Sequence, residues 1–226
     1  MKQYGDKLET IGDIYDSARI GLVVPDYVFC AFKHNEKIYA TDPYNQRILI
    51  LDINSKKVSS IYRPNWFPRW IQLTSHGDII YLDSENKTIG VIKNGRVIKE
   101  KNILMQEPLF IKLTNKDSLL VGGIGAVALL ELDKDLTVIK QLDYQYLNLR
   151  SAEMIDNNRI LVCDDQMHQT FVIDWSGNKY WEYGTLKSPG NKANHLFSPR
   201  YSLYNNGKYY IADGMNNRIL CVNQNG

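Results

Sequence analysis

Apolar and polar residues alternate along most of the chain in short runs, and polar turns separate these runs. Examples are YSLY at 201–204 and RVIKE at 96–100. A period of two in runs this short predicts half-buried β-strands. Because no segment of useful length shows the 3.6-residue period of an amphipathic helix, the pattern predicts an all-β protein.

The runs form an internal repeat. Five apolar runs hold the same place in it, and they end at Asp42, Asp83, Gly123, Asp164 and Asp213. Successive ends are 41, 40, 41 and 49 residues apart. Each repeat contains four short strands, which we expect to form one antiparallel sheet. A sheet of this size cannot bury both faces alone, but several such sheets packed around an axis can, so the repeat predicts a β-propeller.

The repeat predicts a five-bladed β-propeller of four-stranded antiparallel blades, in a single domain over residues 1–226. The fifth repeat ends before its fourth strand. The segment YGDKLETIG (Tyr4–Gly12) is similar to SGNKYWEYG (Ser176–Gly184), which holds that place in the fourth repeat. We therefore expect Lys7–Ile11 to pair with Arg218–Val222 and close the ring. The blades run approximately over 27–62, 67–101, 107–142, 148–184 and 197–226 plus 4–12.

The motif ADxxNNRI at Ala212–Ile219 resembles NHL-repeat propellers, and TDPYNQRI at Thr41–Ile48 is a weaker copy. The segment Ser151–Gly184 also resembles, more weakly, the blades of arylsulfotransferase-like propellers. The NHL resemblance implies the fold but leaves the function open, because such rings include lactonases, lyases, cyclases, peptide-binding modules and RNA-binding modules. The third repeat departs from the motif, since VGGIGAVALLELD has neither the Asp nor the Asn-Asn-Arg.

Composition narrows the class of protein. Apolar residues make up 44% of the chain, and 27 basic residues nearly balance 25 acidic ones. These values exclude a disordered chain, and they give no electrostatic reason to expect binding to nucleic acid or to an anionic membrane. Cys30, Cys163 and Cys221 lie in apolar runs far apart and are interpreted as reduced core thiols. With no signal-peptide pattern at the N-terminus, we expect a cytoplasmic protein; its oligomeric state stays open.

The candidate ligand site lies at the mouth of the channel. We use mouth for the face on which two loop types open: the loops leading into the innermost strands and the loops between the two middle strands. Arg69, Arg150 and Arg200 hold the same place in their repeats. Three guanidinium groups near one axis indicate an anionic small molecule or peptide as the ligand. The alternative is that these arginines pack between blades and pair with nearby acids. Aromatic walls for the site would come from Trp66, Trp70, Phe110 and Tyr201.

The Asp at the end of each apolar run has two possible roles. An Asp in such a turn usually accepts hydrogen bonds from backbone N–H groups, and its recurrence in four repeats favours this structural role. Arg47 and Arg218, which follow in the motif, are interpreted as braces of the same loop. Rings of carboxylates around an axis also bind Ca²⁺. We predict no cofactor, with Ca²⁺ as the one possible metal.

A second class of function is an enzyme without an organic cofactor, such as a lyase, cyclase or hydrolase. His168 and His195 lie on or near mouth loops of adjacent repeats, and Glu153 follows Arg150 by three residues. Histidine is the usual acid–base group near neutral pH, so these three residues are the catalytic candidates. His34 and His76 fall on the opposite face and are expected to be exposed. The glycines at 122, 123 and 125 either leave room for a ligand or serve a tight turn. Whether the protein is an enzyme stays open.

Overall fold

A computed structural model describes residues 28–63 and 65–224, without the side chains of Tyr62 and of residues 144–147. Within these residues the chain forms antiparallel β-strands, as predicted, with two short 3-10 turns. No helix in this part of the chain is long and apolar enough to span a membrane. The first sheet holds β1 (Ala31–His34), β2 (Lys37–Asp42), β3 (Arg47–Asp52) and β4 (Val58–Tyr62). The second holds β5 (Pro68–Leu73), β6 (Ile79–Asp83), β7 (Thr88–Lys93) and β8 (Arg96–Asn102).

The third and fourth repeats share one six-stranded sheet. Its strands are β9 (Glu107–Leu113), β10 (Leu119–Leu132), β11 (Val138–Met154), β12 (Arg159–Asp164), β13 (Gln169–Asp174) and β14 (Lys179–Tyr183). The fifth repeat is a three-stranded sheet of β15 (Pro199–Asn205), β16 (Lys208–Asp213) and β17 (Arg218–Asn223). We call the five repeats units one to five. Unit three ends within β11, whose residues 138–143 pair with β10, and unit four begins where residues 149–154 pair with β12.

The long strand β10 folds back on itself. The Ser118 hydroxyl donates to the carboxylate of Glu131 at 2.6 Å, although the two residues are 13 positions apart. A straight strand would hold them roughly 40 Å apart. Gly125, with φ of +130°, lies between the two halves. Unit three has glycine in place of the Asp found in the other turns, and here β10 joins the next unit, where Ile124 pairs with Asn148.

The core lies between neighbouring sheets. One cluster packs Leu82 and Ile89 of unit two against Val121 and Leu130 of unit three. Further clusters join units one and two, three and four, and four and five. At the last of these interfaces the Trp181 ring stacks on Tyr209, with ring centres 3.7 Å apart. Consecutive sheets thus bury apolar side chains between them, as the repeat predicts.

Unit five differs from the others at its outer edge. Among the residues that the structure describes, its strand β17 is the last of three in the sheet, and its residue Ile219 is 78% exposed. The prediction of three buried thiols is wrong for Cys221, which is exposed on this strand, and correct for Cys30 and Cys163. Burial raises the pKa of the Cys30 thiol to about 11 and that of Cys163 to about 12. The expected closing strand, Tyr4–Gly12, lies outside the described residues.

Candidate functional site at the mouth of the channel

A β-bulge recurs at one position in four units. In β5, Pro68 pairs with Asp83 and Trp70 pairs with Leu82, so the strand register shifts at Arg69. The corresponding bulge positions in the other three units are Leu109, which packs in the core, and the arginines Arg150 and Arg200. A bulge turns the extra residue out of the strand's alternation. An arginine and the aromatic residue after it can therefore face the same region.

The buried Asp at the end of each middle strand fixes the mouth loops. Asp213, which is fully buried, accepts hydrogen bonds from the Phe197 N–H at 2.7 Å, the Asn216 amide at 2.8 Å and the Arg218 guanidinium at 2.8 Å. Each Asp thus ties its own turn to nearby groups, as the structural interpretation predicted. The other members of the series bind donors in the same way: Asp42 those of Asn45 and Arg47, Asp83 those of Phe67 and Asn86, and Asp164 those of Asn148, Gln166 and Met167.

The role predicted for Arg47 and Arg218 as loop braces is also confirmed, because each donates to the Asp of its own turn. Unit four has Gln169 in the place of this arginine. There burial raises the pKa of Asp164 above its usual value, against the opposing effect of three backbone N–H donors. In the part of the chain that the structure describes, no group of three or more His, Cys, Asp or Glu residues is arranged to hold a metal ion.

The innermost strand of each unit is its first one: β1, β5, β9, the second half of β11 and β15. A cavity of about 110 Å³ lies where these five strands meet. Four of the six predicted ligand-binding residues line it, and they are Trp70, Phe110, Arg150 and Tyr201. The sequence interpretation missed Phe32, Gln72 and Lys112, which line it as well. One cavity bounded by five innermost strands indicates that the units surround a common axis.

Two arginines at this mouth share one carboxylate. Arg150 donates through Nε to Asp165 Oδ2 at 2.6 Å, and Arg200 donates through Nη1 to the same oxygen at 3.1 Å. The side chain of Arg150 is 23% exposed, that of Arg200 is 51% exposed, and that of Asp165 is buried. Two positive charges therefore face one negative charge on Asp165. The side chain of Arg200 is half-exposed, so the second positive charge is accessible to solvent. The alternative of arginines paired with nearby acids describes Arg150 better than Arg200.

Arg69 belongs to a different part of the mouth. Its guanidinium carbon lies 4.9 Å from the centre of the Phe29 ring, and Nη1 lies 4.0 Å from the Glu107 carboxylate. Phe29 in turn contacts Phe67, which Tyr44 also contacts edge-on. Trp66, one of the predicted aromatic walls, instead packs in the core against Tyr81. The aromatic surroundings of Arg69 thus come from residues that the repeat did not single out.

The glycines of unit three serve packing and a turn. A Cβ on Gly122 would overlap the Phe110 ring, and one on Gly123 would overlap the carbonyl oxygen of Glu107. Gly125 takes a positive φ that other residues rarely adopt. These contacts support the interpretation of the glycines as residues of a tight turn. The space beside Gly122 is not left for a ligand, because the Phe110 ring fills it and itself lines the cavity.

The three predicted catalytic residues do not form one constellation. Glu153 pairs with Leu161 on β12, whereas His168 lies beyond the other end of that strand, after Asp164. The two levels are about 10 Å apart along the strand. The His168 Nδ1 accepts the Ser198 N–H at 3.1 Å, and the His195 Nδ1 contacts the carbonyl oxygen of Ala193 at 3.0 Å. Both rings thus contact loop backbone near the 184–198 connection.

The opposite face carries a larger cavity, of about 360 Å³, between units two and three. Its lining includes the aliphatic residues Ile80, Leu113 and Leu119 and the exposed His76. His34 was also expected to be exposed, but it is half-buried. None of the predicted site residues lines this cavity.

Comparison with solved structures places the fold among β-propellers. Virginiamycin B lyase from Staphylococcus aureus matches with a TM-score of 0.69 at 16% identity, over 89% of this chain and 72% of that one. A streptogramin B lyase matches with a TM-score of 0.72 at 20% identity, over 91% and 68%. Hydrazine synthase from Kuenenia stuttgartiensis matches with a TM-score of 0.67 at 14% identity, over 87% and 58%. Similarity at these identities establishes the fold alone.

No family model matches the sequence, and no curated protein matches it either. The resemblance to NHL repeats therefore stays a prediction, while the propeller fold is shown.

Proposed function

We propose that this protein is a binding module whose channel mouth holds an anionic small molecule or peptide. The observation that carries the proposal is the pair of guanidinium groups, Arg150 and Arg200, on the single carboxylate of Asp165. Arg150 lines the cavity, and the side chain of Arg200 is half-exposed beside it on the same carboxylate. A ligand carboxylate, phosphate or sulfate would neutralise the second positive charge of this pair through hydrogen bonds to a charged donor.

The walls of the cavity support an anion that also carries an apolar group. Trp70, Phe110 and Phe32 line it, and a small concave site with aromatic walls and a few polar groups is typical of ligand binding. The lyases of similar fold raise the alternative of acid–base catalysis. We do not propose it, because the strand register separates Glu153 from His168.

Substitution of the two arginines tests the binding function. We expect phenylacetate to bind the wild-type protein, and Arg200→Gln to weaken this binding about tenfold, the effect of one charged hydrogen bond. Arg150→Gln should act in the same direction. Isothermal titration calorimetry measures the affinities, and added sulfate should compete.

The control is Arg159→Gln. Arg159 forms an ion pair of similar length, 2.6 Å to Asp156, but lies at the far end of unit four with its side chain exposed. This variant should bind phenylacetate as the wild type does. Equal affinity in the wild type and in Arg150→Gln/Arg200→Gln would contradict the proposal.

We further infer that the ring has five blades and that Lys7–Ile11 supplies the fourth strand of unit five. The support is that, among the described residues, unit five forms a sheet of three strands that ends at β17, whereas units one and two each form a sheet of four. A fourth strand at this position would pair with the N–H and C=O groups along the edge of β17.

Deletion of residues 1–12 tests this closure. We expect the amides of β17 to exchange with solvent at least about tenfold faster in the deletion variant, because an added strand would protect them. The amides of β13, which lies between β12 and β14, are the internal control. Hydrogen exchange by mass spectrometry or NMR measures both, and unchanged exchange at β17 would show that this segment does not pair there.

A further inference from the structure

The cavity at the mouth is built in three levels, set by the register of the innermost strands. The bulged arginines form the outer level. The middle level lies one residue further along each strand and consists of Trp70, Phe110, Ser151 and Tyr201. The inner level lies three residues beyond the bulge and consists of Gln72, Lys112 and Glu153. The outer and inner levels are therefore about 10 Å apart along the strands. Cations lie at the outer level, aromatic rings in the middle and polar groups at the inner end.

The middle level has room for one edge of a small aromatic group. The cavity measures about 110 Å³. This is less than the closed cavity of about 150 Å³ that holds benzene, so a single ring would enter the cavity only in part. One edge of the ring would lie beside Trp70 and Phe110, and the other edge would remain at the mouth. An anionic group on that edge would then lie near Arg150.

The inner level holds a donor that lines the cavity, Lys112, and an acceptor at the same level on the neighbouring strand, Glu153, which follows the lining residue Ala152. The Lys112 ammonium donates to the Tyr201 hydroxyl at 3.3 Å, and it has three N–H groups in all. Glu153 holds the same level in the next unit, on the neighbouring stretch of β11. Burial raises the pKa of Glu153, and the positive charge of Lys112 partly offsets this shift, so the two groups influence each other.

A hydroxyl group suits this pair best. It accepts a hydrogen bond from an ammonium and donates one to a carboxylate. A second carboxylate on the ligand would be repelled by Glu153. A purely apolar end would displace water from Lys112 without replacing its hydrogen bonds, which is unfavourable.

We infer that the ligand is an aromatic carboxylic acid with a hydroxyl group at the end of the ring opposite the carboxylate. This inference rests on the proposed function. The carboxylate binds Arg150 and Arg200, one edge of the ring lies beside Trp70 and Phe110, and the hydroxyl contacts Lys112.

Matched pairs of acids test the inference. The pairs are benzoate and 4-hydroxybenzoate, phenylacetate and 4-hydroxyphenylacetate, and 3-phenylpropanoate and its 4-hydroxyphenyl analogue. Their dissociation constants are measured by calorimetry in the wild type and in Lys112→Met, which keeps most of the apolar stem of the side chain. In at least one pair we expect the hydroxyl to improve affinity about tenfold in the wild type. In Lys112→Met we expect this gain to fall to about twofold or less, with little change for the acid without the hydroxyl.

Two controls separate the possible failures. Lys101→Met on the outer strand β8, where Lys101 contacts Thr137, should leave all affinities unchanged. Lys112→Gln replaces Lys112→Met if the latter does not fold. The inference is overturned if the hydroxyl gives no gain in affinity in any pair, or if the gain survives both Lys112 variants. In either case, Arg200-dependent binding of the acids without a hydroxyl would still support the proposed function. If none of the six acids binds the wild type, both are overturned.

Discussion

Replacement of Asp213 by alanine should lower the free energy of unfolding by about 3–4 kcal/mol. Asp213 is fully buried and accepts hydrogen bonds from Phe197, Asn216 and Arg218. Its removal leaves a backbone N–H, an amide and part of a guanidinium without their acceptor, and buried donors without partners are expensive. Urea denaturation followed by circular dichroism gives the free energy of unfolding.

The matched control is Asp156→Ala. Asp156 also accepts from two backbone N–H groups and a guanidinium, those of Asn158 and Arg159, but this turn is exposed on the opposite face. Water replaces the lost acceptor there, so we expect a loss of at most about 1 kcal/mol. If the two variants lose the same stability, burial of the mouth turn is not what makes Asp213 important.

Replacement of Gly90 by alanine should destabilise the protein by about 1–3 kcal/mol, the usual effect of overpacking a core. Gly90 pairs with Tyr81 across β6 and β7, and a Cβ at this position would lie 2.5 Å from the Tyr81 ring. That ring is fully buried and packs edge-on against Trp66, while its hydroxyl contacts Glu100. The ring therefore has little freedom to move away.

A double-mutant cycle isolates this contact. In a Tyr81→Leu background the smaller side chain leaves space beside residue 90, so Gly90→Ala should cost less than about 0.5 kcal/mol there. Thermal or urea denaturation of the four proteins provides the measurement. A loss that is the same in both backgrounds would show that strain at residue 90 comes from the backbone and not from the tyrosine ring.

The scaffold of the site was predictable because its determinants lie within one unit. The Asp at the end of each apolar run, such as Asp83 or Asp213, accepts hydrogen bonds from its own turn and from a backbone N–H that lies 16 residues earlier in the same unit. The spacing of these runs therefore predicts the strands, their order and the braces Arg47 and Arg218. The fold-back of β10 was less visible, since glycine replaced the Asp that marks this turn elsewhere.

The chemistry of the site was only partly predictable because it depends on contacts between units. Arg150 and Arg200 were found from their place in the repeat, but their shared partner Asp165 could not be identified without knowing which units adjoin. Lys112 was missed because the sequence interpretation selected aromatic residues at the start of the innermost strands, such as Phe110, and did not follow β9 two residues further. His168 and Glu153 were both predicted as catalytic candidates near the mouth. The structure separates them by the length of β12, because Glu153 pairs with Leu161 and His168 follows the end of the strand at Asp164.

The recurrent bulge divides each innermost strand into two kinds of position with different tolerance to mutation. Residues that take part in the ladder, such as Pro68 and Trp70, must satisfy the sheet. The bulged residue between them, Arg69, lies at the shift in the strand register. Unit three already carries a leucine, Leu109, at this position without losing the pairing on either side. Substitution of a bulged arginine therefore changes the charge of the mouth, whereas Leu109 at the same position of unit three packs in the core and contributes to the stability of the ring.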